Sequence, residues 1–353
     1  ALSDVRAIFT KTLIDVYQER IYPTDFLSAF FPSEVALTKE ISIQVERMGE
    51  KVALDIIRGS EGNRNEFAKS TEKIFLPPLY KEYLDMTELD LYDRVLGSQG
   101  DAQIPLFEAL ILDASTRLAD LTDKIRRAKE LQCSQVLETG VVTFKNQLSV
   151  DYKRKANSLV DLSAPPTGPS GYWAANSDVF GQLEQACLFL RQTGRSGDGM
   201  FIAILGSQAL HDLLANTVFT TRQNLFNMAL DAVHGPVRAG NGATYHGTLT
   251  CGSFKVALWA YPQFYDDPNN SNTSTAYVNT KKVIVIPEKP RFKMAHAAVP
   301  RLIGKPGQMP AQGEYVTQEM IDDYNAKHIL NVQSAAIAVP SAVDQMVTLK
   351  VVA

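Results

Sequence analysis

KEISIQVERMGEKVALDIIRGSEGNRNEFAKSTEKIFLPPLYKEYL, residues 39–84, reads as a long two-stranded arm with no core of its own. In the first limb Ile41, Ile43 and Val45 alternate with Ser42, Gln44 and Glu46, and after Gly49 the same period of two resumes in Val52, Leu54 and Ile56. A polar tip from Arg58 to Ser70 carries the turn residues Gly59, Gly62 and Asn63. In the return limb, TEKIFLPPLYKEYLDM, the paired Pro77 and Pro78 exclude a central strand, so this limb is an edge or an irregular extended piece. A lone hairpin is marginally stable in water and its open edges invite pairing. A chain that keeps such an arm is expected to lay it on another subunit, which points to assembly rather than catalysis.

The bulk numbers exclude more than they assign. At 353 residues the chain can hold a sizeable core or two domains. A formal charge of −4 gives no reason to expect sequence-specific nucleic-acid binding, which brings a basic patch. No apolar run approaches the roughly 18–20 residues that span a bilayer. The opening ALSDVRAIFTKTLIDVYQ has no basic region followed by an apolar core, so no signal peptide is read, and Ala1 fits either removal of Met or a processed end. Cys133, Cys187 and Cys251 are odd in number and far apart, as expected of buried free thiols in a reducing compartment.

Residues 3–18 read as an amphipathic helix, with Ser3 as cap and Val5, Ile8, Phe9, Leu13 and Val16 on one face. After Pro23 comes an apolar knot, FLSAFF, whose Phe26, Leu27, Phe30 and Phe31 need a partner surface on their own domain or on a neighbouring subunit. The longest regular element runs from near Ile104 to about Leu137: Leu106, Leu110, Ala114, Leu118, Leu121, Ile125, Ala128 and Leu131 recur at three- and four-residue steps. Such a helix is roughly 45–50 Å long, a spine for the molecule. Its basic set, Lys124, Arg126, Arg127 and Lys129, reads most simply as a solvated face, with contact to packaged nucleic acid the lesser alternative.

Residues 141–155 read as a strand pair, and the Pro- and Gly-rich LSAPPTGPSGYW at 162–173 as a boundary. An α/β region follows, with helices at 178–191, from Ser207 and at 221–234, and strands at 200–206, 254–260 and 282–286. The polar loop at 266–275 is expected to be an exposed tip. At the end of the chain, Val347, Leu349 and Val351 alternate with Thr348 and Lys350, a strand expected to join a sheet begun much earlier.

Catalytic chemistry is hard to place. GRSGDG at 194–199 precedes a strand, whereas a phosphate cradle follows one and opens a helix. The five histidines never pair at metal spacing, and no GxSxG surrounds a serine. The adjacent Asp266–Asp267 and Asp322–Asp323 read as solvated charge. No catalytic residue, cofactor or metal is expected.

In its order of parts the chain resembles the major capsid proteins of lambda-like tailed phages, the protein E family. FLSAFF at 26–31 is similar to that family's FL-x-x-FF knot, and VALDIIRGSEGNRNEF at 52–67 to its extended-loop region. VQSAAIAVPSAVDQMVTLKV at 332–351 resembles its closing motif, with Ala336 where Pro is usual and Pro340 coming later. The resemblance implies an α+β chain with the Hong Kong 97-type phage capsid fold. An N-terminal arm would span 1–38, an extended loop hairpin 39–90, a peripheral domain with the long spine helix 91–160 and an axial domain 161–325, and residues 326–353 would return a C-terminal strand to the peripheral domain. It also implies the function, self-assembly in pentamers and hexamers into the icosahedral head shell around a genome, in the virion and assembled in the host cytoplasm. Implied partners are a scaffold, a portal, an external decoration protein and non-specifically contacted double-stranded DNA, with no membrane. Contacts between subunits are expected from Phe26, Phe30 and Phe31 of the knot, and from Arg58, Arg64, Glu66, Phe67, Lys69, Glu72, Lys73 and Phe75 of the arm. An encapsulin-type compartment shell and a soluble α/β enzyme are the alternative readings.

Overall fold

The apolar recurrence along the middle of the chain forms one helix of 34 residues, Leu106–Thr139, about 51 Å long at 1.5 Å per residue. In the computed structural model, residues 25–45, 71–87, 106–145, 149–197, 199–226, 237–238, 242–267, 273–299, 311–322 and 327–353 are described. The helix stops at Gly140, whose φ of 75° suits glycine and whose N–H bonds back to the carbonyl of Val136 at 2.9 Å.

This spine packs between two sheets. The five-stranded sheet is organised on the 14-residue strand Lys327–Pro340. Its first half is flanked antiparallel by Leu79–Thr87 on one edge and Val316–Asp322 on the other. Its second half pairs antiparallel with Phe292–His296, whose far edge carries Ser33–Val35 in parallel. Leu118, Leu121 and Ile125 of the spine form a core with Leu330 and Val332, against which Tyr80 and Leu84 pack.

The strand Leu79–Thr87 stops opposite Ala335, and there the spine takes over the exposed edge. The Gln132 amide donates to the Ala336 carbonyl at 3.2 Å and accepts from the Ala338 N–H at 3.1 Å, while the Tyr152 hydroxyl donates to the Ala338 carbonyl at 2.6 Å. Buried backbone groups must find partners, and side chains here replace a missing strand.

The seven-stranded sheet has the order Leu159–Asp161, Val347–Lys350, Lys282–Pro287, Met200–Leu205, Phe254–Ala260, Thr244–Cys251 and Val237–Arg238. Helix Val179–Gln192, capped by the Asp178 carboxylate accepting from the Gly181 N–H, covers it together with Ser207–Ala215 and Thr217–Phe226. Trp173, Leu183, Leu190, Phe201 and Phe219 fill this second core.

The base of the arm is a two-stranded ladder, Ile41–Val45 against Thr71–Phe75, in the register Ile41 opposite Phe75. The ladder breaks at Leu76–Pro78, and the rest of the return limb re-enters the chain's own sheet as Leu79–Thr87. The helix expected at 3–18, the alternation at 52–56, the arm tip at 58–70 and the second half of the helix expected at 221–234 lie outside the described residues. The final strand, Val347–Lys350, joins the seven-stranded sheet, between Leu159–Asp161 and Lys282–Pro287. The polar loop at 266–275 includes a two-stranded ribbon, Phe264–Asp267 with Thr273–Ala276.

Half-buried Arg154 ties the end of the spine to the end of the chain. Its guanidinium donates to the carbonyls of Leu137, Ser158 and Met346 at 2.9, 3.0 and 3.1 Å, and to the hydroxyls of Ser158 and Thr348, each at 3.1 Å. Arg154→Met keeps the stem but removes all five of these bonds, although the Leu137 carbonyl keeps the Thr348 hydroxyl as a donor. It is expected to cost about 3–5 kcal/mol, read as a lowered urea midpoint at unchanged slope.

Candidate assembly surfaces

The apolar knot is held inside the chain. Phe26 packs against Trp259 and Tyr261 at ring-centroid distances of 5.3 and 5.5 Å, and Phe31 stacks on Phe292 at 5.1 Å. Phe26 and Phe31 are buried, and half-buried Phe30 meets Phe26 edge-on. The knot is a 3-10 turn, Ser28–Phe30, with no side-chain cap of its own. A carboxylate from the spine supplies one: Glu130, 3% exposed, accepts from the Leu27 N–H at 2.8 Å, the Ser28 N–H at 2.9 Å, the Ser28 hydroxyl at 2.5 Å and the Tyr261 hydroxyl at 2.8 Å. Burial still outweighs these bonds and holds the Glu130 carboxyl above the usual carboxylate range.

Glu130 opens a polar stripe at helical spacing that faces the segments around the seven-stranded sheet. One turn on, the Ser134 hydroxyl donates to the Tyr277 carbonyl, and one turn further Glu138 pairs with Lys282 at 2.5 Å. The Leu137 carbonyl accepts from the Thr348 hydroxyl at 3.0 Å.

The basic set needs a correction. Lys124 and Arg127 are exposed, but Lys129 is buried, its ammonium 3.8 Å from the centre of the Tyr315 ring. Burial pulls its pKa down to about 8, with Glu314 opposing. The helix turns position 129 toward the 311–315 segment, and an aromatic face replaces water there.

Of the expected arm contacts, Arg58, Arg64, Glu66, Phe67 and Lys69 lie outside the described residues. Glu72 and Lys73 fall on the strand Thr71–Phe75, opposite Gln44 and Ile43. Phe75 is half-buried and stacks on Phe144 at 6.4 Å, which fastens the arm's root to the segment after the spine. Leu37, Leu76, Leu79 and Tyr83 are exposed beside that root, at 69, 43, 44 and 63%. These four side chains form an exposed apolar patch at the arm's root. In the sequence Leu79 and Tyr83 are the outward positions of an alternation, hidden by the prolines before them.

Residues 9–351 match the model of the family described as phage major capsid protein E. The fold is similar to a solved prophage capsid protein of Escherichia coli CFT073, at 13% identity and a TM-score of 0.65, covering 96% of each chain. It is also similar to a phage-related protein of Bordetella bronchiseptica RB50, at 11% identity and a TM-score of 0.51, covering 96% of this chain and 95% of that one. The capsid protein of cyanophage P-SCSP1u matches at 8% identity and a TM-score of 0.51, over 94% and 89% of the two chains. No curated protein matches the sequence. At such identities the likeness concerns the fold, which is the mixed helix-and-sheet Hong Kong 97-type capsid fold.

Glu130→Gln tests how the knot is held. An amide nitrogen must then face a hydrogen-bond donor, at a cost of about 1.5–3 kcal/mol. The expected outcome is faster proteolytic cleavage between residues 20 and 36, with the seven-stranded region as resistant as before.

Proposed function

The chain belongs to the phage major capsid protein E family, a family of shell-forming structural proteins, and on that footing we propose how its parts build the head of a tailed phage. Copies associate as pentamers and hexamers through heterologous contacts that repeat around each ring, and the rings close into an icosahedral shell around the genome. The observation that carries this reading is a family match over nearly the whole chain, joined to an arm whose two-stranded base has no sheet of its own beneath it. The match favours a phage head over the compartment-shell and enzyme alternatives.

The five-stranded sheet with the spine is the peripheral body, and the seven-stranded sheet with its helices is the axial body that meets its copies around the ring axes. The final strand thus serves the axial body, while the long strand before it serves the peripheral one. The arm lies over a neighbour, its tip contributing Arg58, Arg64, Glu66, Phe67 and Lys69, its return limb Glu72 and Lys73, and its root Leu37, Leu76 and Leu79. Exposed ion pairs contribute only about 0–1 kcal/mol each, so the shell's strength comes from many modest interfaces and from apolar burial at the root. Scaffold, portal, decoration protein and packaged DNA are the partners that assembly in the host cytoplasm brings.

The test is expression of the chain alone, followed by negative-stain microscopy and light scattering. Closed shells or ring-shaped capsomers are expected; a monomer or dimer indifferent to concentration and salt would sink the proposal. Replacing residues 50–69 by a short Gly-Ser turn is expected to leave a folded subunit, by circular dichroism, that forms no sound shells.

A further inference from the structure

His296 ends the strand Phe292–His296 at the place where the segment leading into the arm is fastened to the body. Its carbonyl accepts from the Ala36 N–H at 2.7 Å, and in register it lies between Val35 and Ala336. The bonds on either side belong to the same seam: the Met294 N–H to the Pro32 carbonyl at 2.9 Å and the Ala298 N–H to the Thr38 carbonyl at 3.0 Å. Three residues beyond Thr38 the arm's first strand begins.

The imidazole of His296 is fully buried, and neither ring nitrogen has a hydrogen-bond partner among the described residues. Buried polar atoms are ordinarily partnered, so two orphans on one ring call for an explanation. The charged and titratable groups around it come from three elements. The spine contributes buried Lys129, with Arg126 and Cys133 acting on Lys129 in turn; the 311–315 segment contributes Glu314, beside the Tyr315 ring under Lys129; the knot contributes Asp25, which acts on Lys129. On the seam itself Lys293 is paired with Glu34 at 2.9 Å.

We propose that His296 is a proton-sensitive latch: the neutral ring lets residues 33–38 lie closed on the body, and a proton on it, beside the Lys129 ammonium with no acceptor at either nitrogen, opens that seam at the root of the arm. The inference concerns a single chain and holds whether or not the arm covers a neighbour.

Burial first, and the Lys129 charge second, lower the His296 pKa from 6.5 to about 4, with Glu314 opposing. The open state therefore binds the proton more readily than the closed one. Closure is at full strength above about pH 6.5 and is lost progressively as pH falls toward 4. The raised carboxyls of Asp25 and Glu130 act in the opposite direction, since acid relieves their burial. Among the titrations of His296, Asp25 and Glu130, that of the imidazole alone loosens closure on acidification, and the His296→Leu chain separates it from the Lys293–Glu34 pair.

Amide hydrogen exchange of the full-length protein, corrected for the intrinsic effect of pH, reads the seam through peptides covering 33–38 and 292–298. Opening is expected to rise roughly 30-fold between pH 7.5 and pH 5 in the natural chain, from the two pKa values. That rise on acidification should be lost in His296→Leu, and should be less steep in Lys129→Met. An equal acid response in His296→Leu, or loosening spread evenly over both sheets, overturns the proposal. If His296→Leu does not fold, exchange of the imidazole C2 hydrogen in the natural chain decides: a His296 titration below pH 5 supports the latch, and one near 6.5 refutes it.

Discussion

A carboxylate taken out of water must be given donors, and the Glu130 carboxylate receives four of them from two separate parts of the chain. Two backbone N–H groups and a hydroxyl come from the knot, and a fourth donor, Tyr261, comes from the segment after a strand of the seven-stranded sheet. The knot's place in the molecule follows from that demand. Glu130 can be satisfied only if residues 27–28 and Tyr261 arrive together, so the spine, the N-terminal segment and the sheet are fixed by one group. Ser134 and Glu138 repeat the principle one and two turns later, and Gln132 applies it in the other direction, to the edge of the long strand. Apolar contacts between the spine and either sheet are non-directional and would tolerate sliding. The polar stripe sets the register.

That stripe also marks the limit of what the sequence conveys. The spine was legible from the apolar residues between Leu106 and Leu131, and its bounds came out within two residues at each end. Its polar residues were not, because Glu130, Gln132 and Lys129 look like a solvated face until their partners are known, and those partners lie from 52 to 206 residues away. The same reason hid the fate of the knot. FLSAFF announced a need for burial, but whether it is met within the chain or by a neighbour depends on Trp259, Tyr261 and Phe292, which no local pattern connects to it. The alternation at the end of the chain gave the strand Val347–Lys350 but not its sheet, since pairing with Lys282–Pro287 is a long-range choice.

The strand Lys327–Pro340 shows why two bodies can behave as one. It is too long for any single neighbour: Leu79–Thr87 and Val316–Asp322 flank its first half, and Phe292–His296 flanks its second. The chain then turns through Ser341–Met346 and enters the other sheet as Val347–Lys350. Arg154 locks this crossing by holding the Met346 carbonyl and the Leu137 carbonyl at the same time. Backbone continuity and a shared cation thus join the sheets at the end of the spine.

The arm contrasts with all of this. Its ladder ends with Ile41 opposite Phe75, and the sheet's ladder begins with Leu79 opposite Ala335. Between them stand Leu76, Pro77 and Pro78, and the prolines have no N–H with which to continue either ladder. Both prolines are buried, so the break is anchored even though no ladder runs through it. No strand hydrogen bond then dictates the angle between the ribbon and the sheet; Phe75 against Phe144 holds the ribbon on one side, and the seam of residues 33–38 holds it on the other. A rigid ladder through the root would fix one arm direction for every copy. A root whose direction is set by side-chain packing can shift without breaking a sheet, so the ribbon's angle to the body is free to differ from one copy to the next.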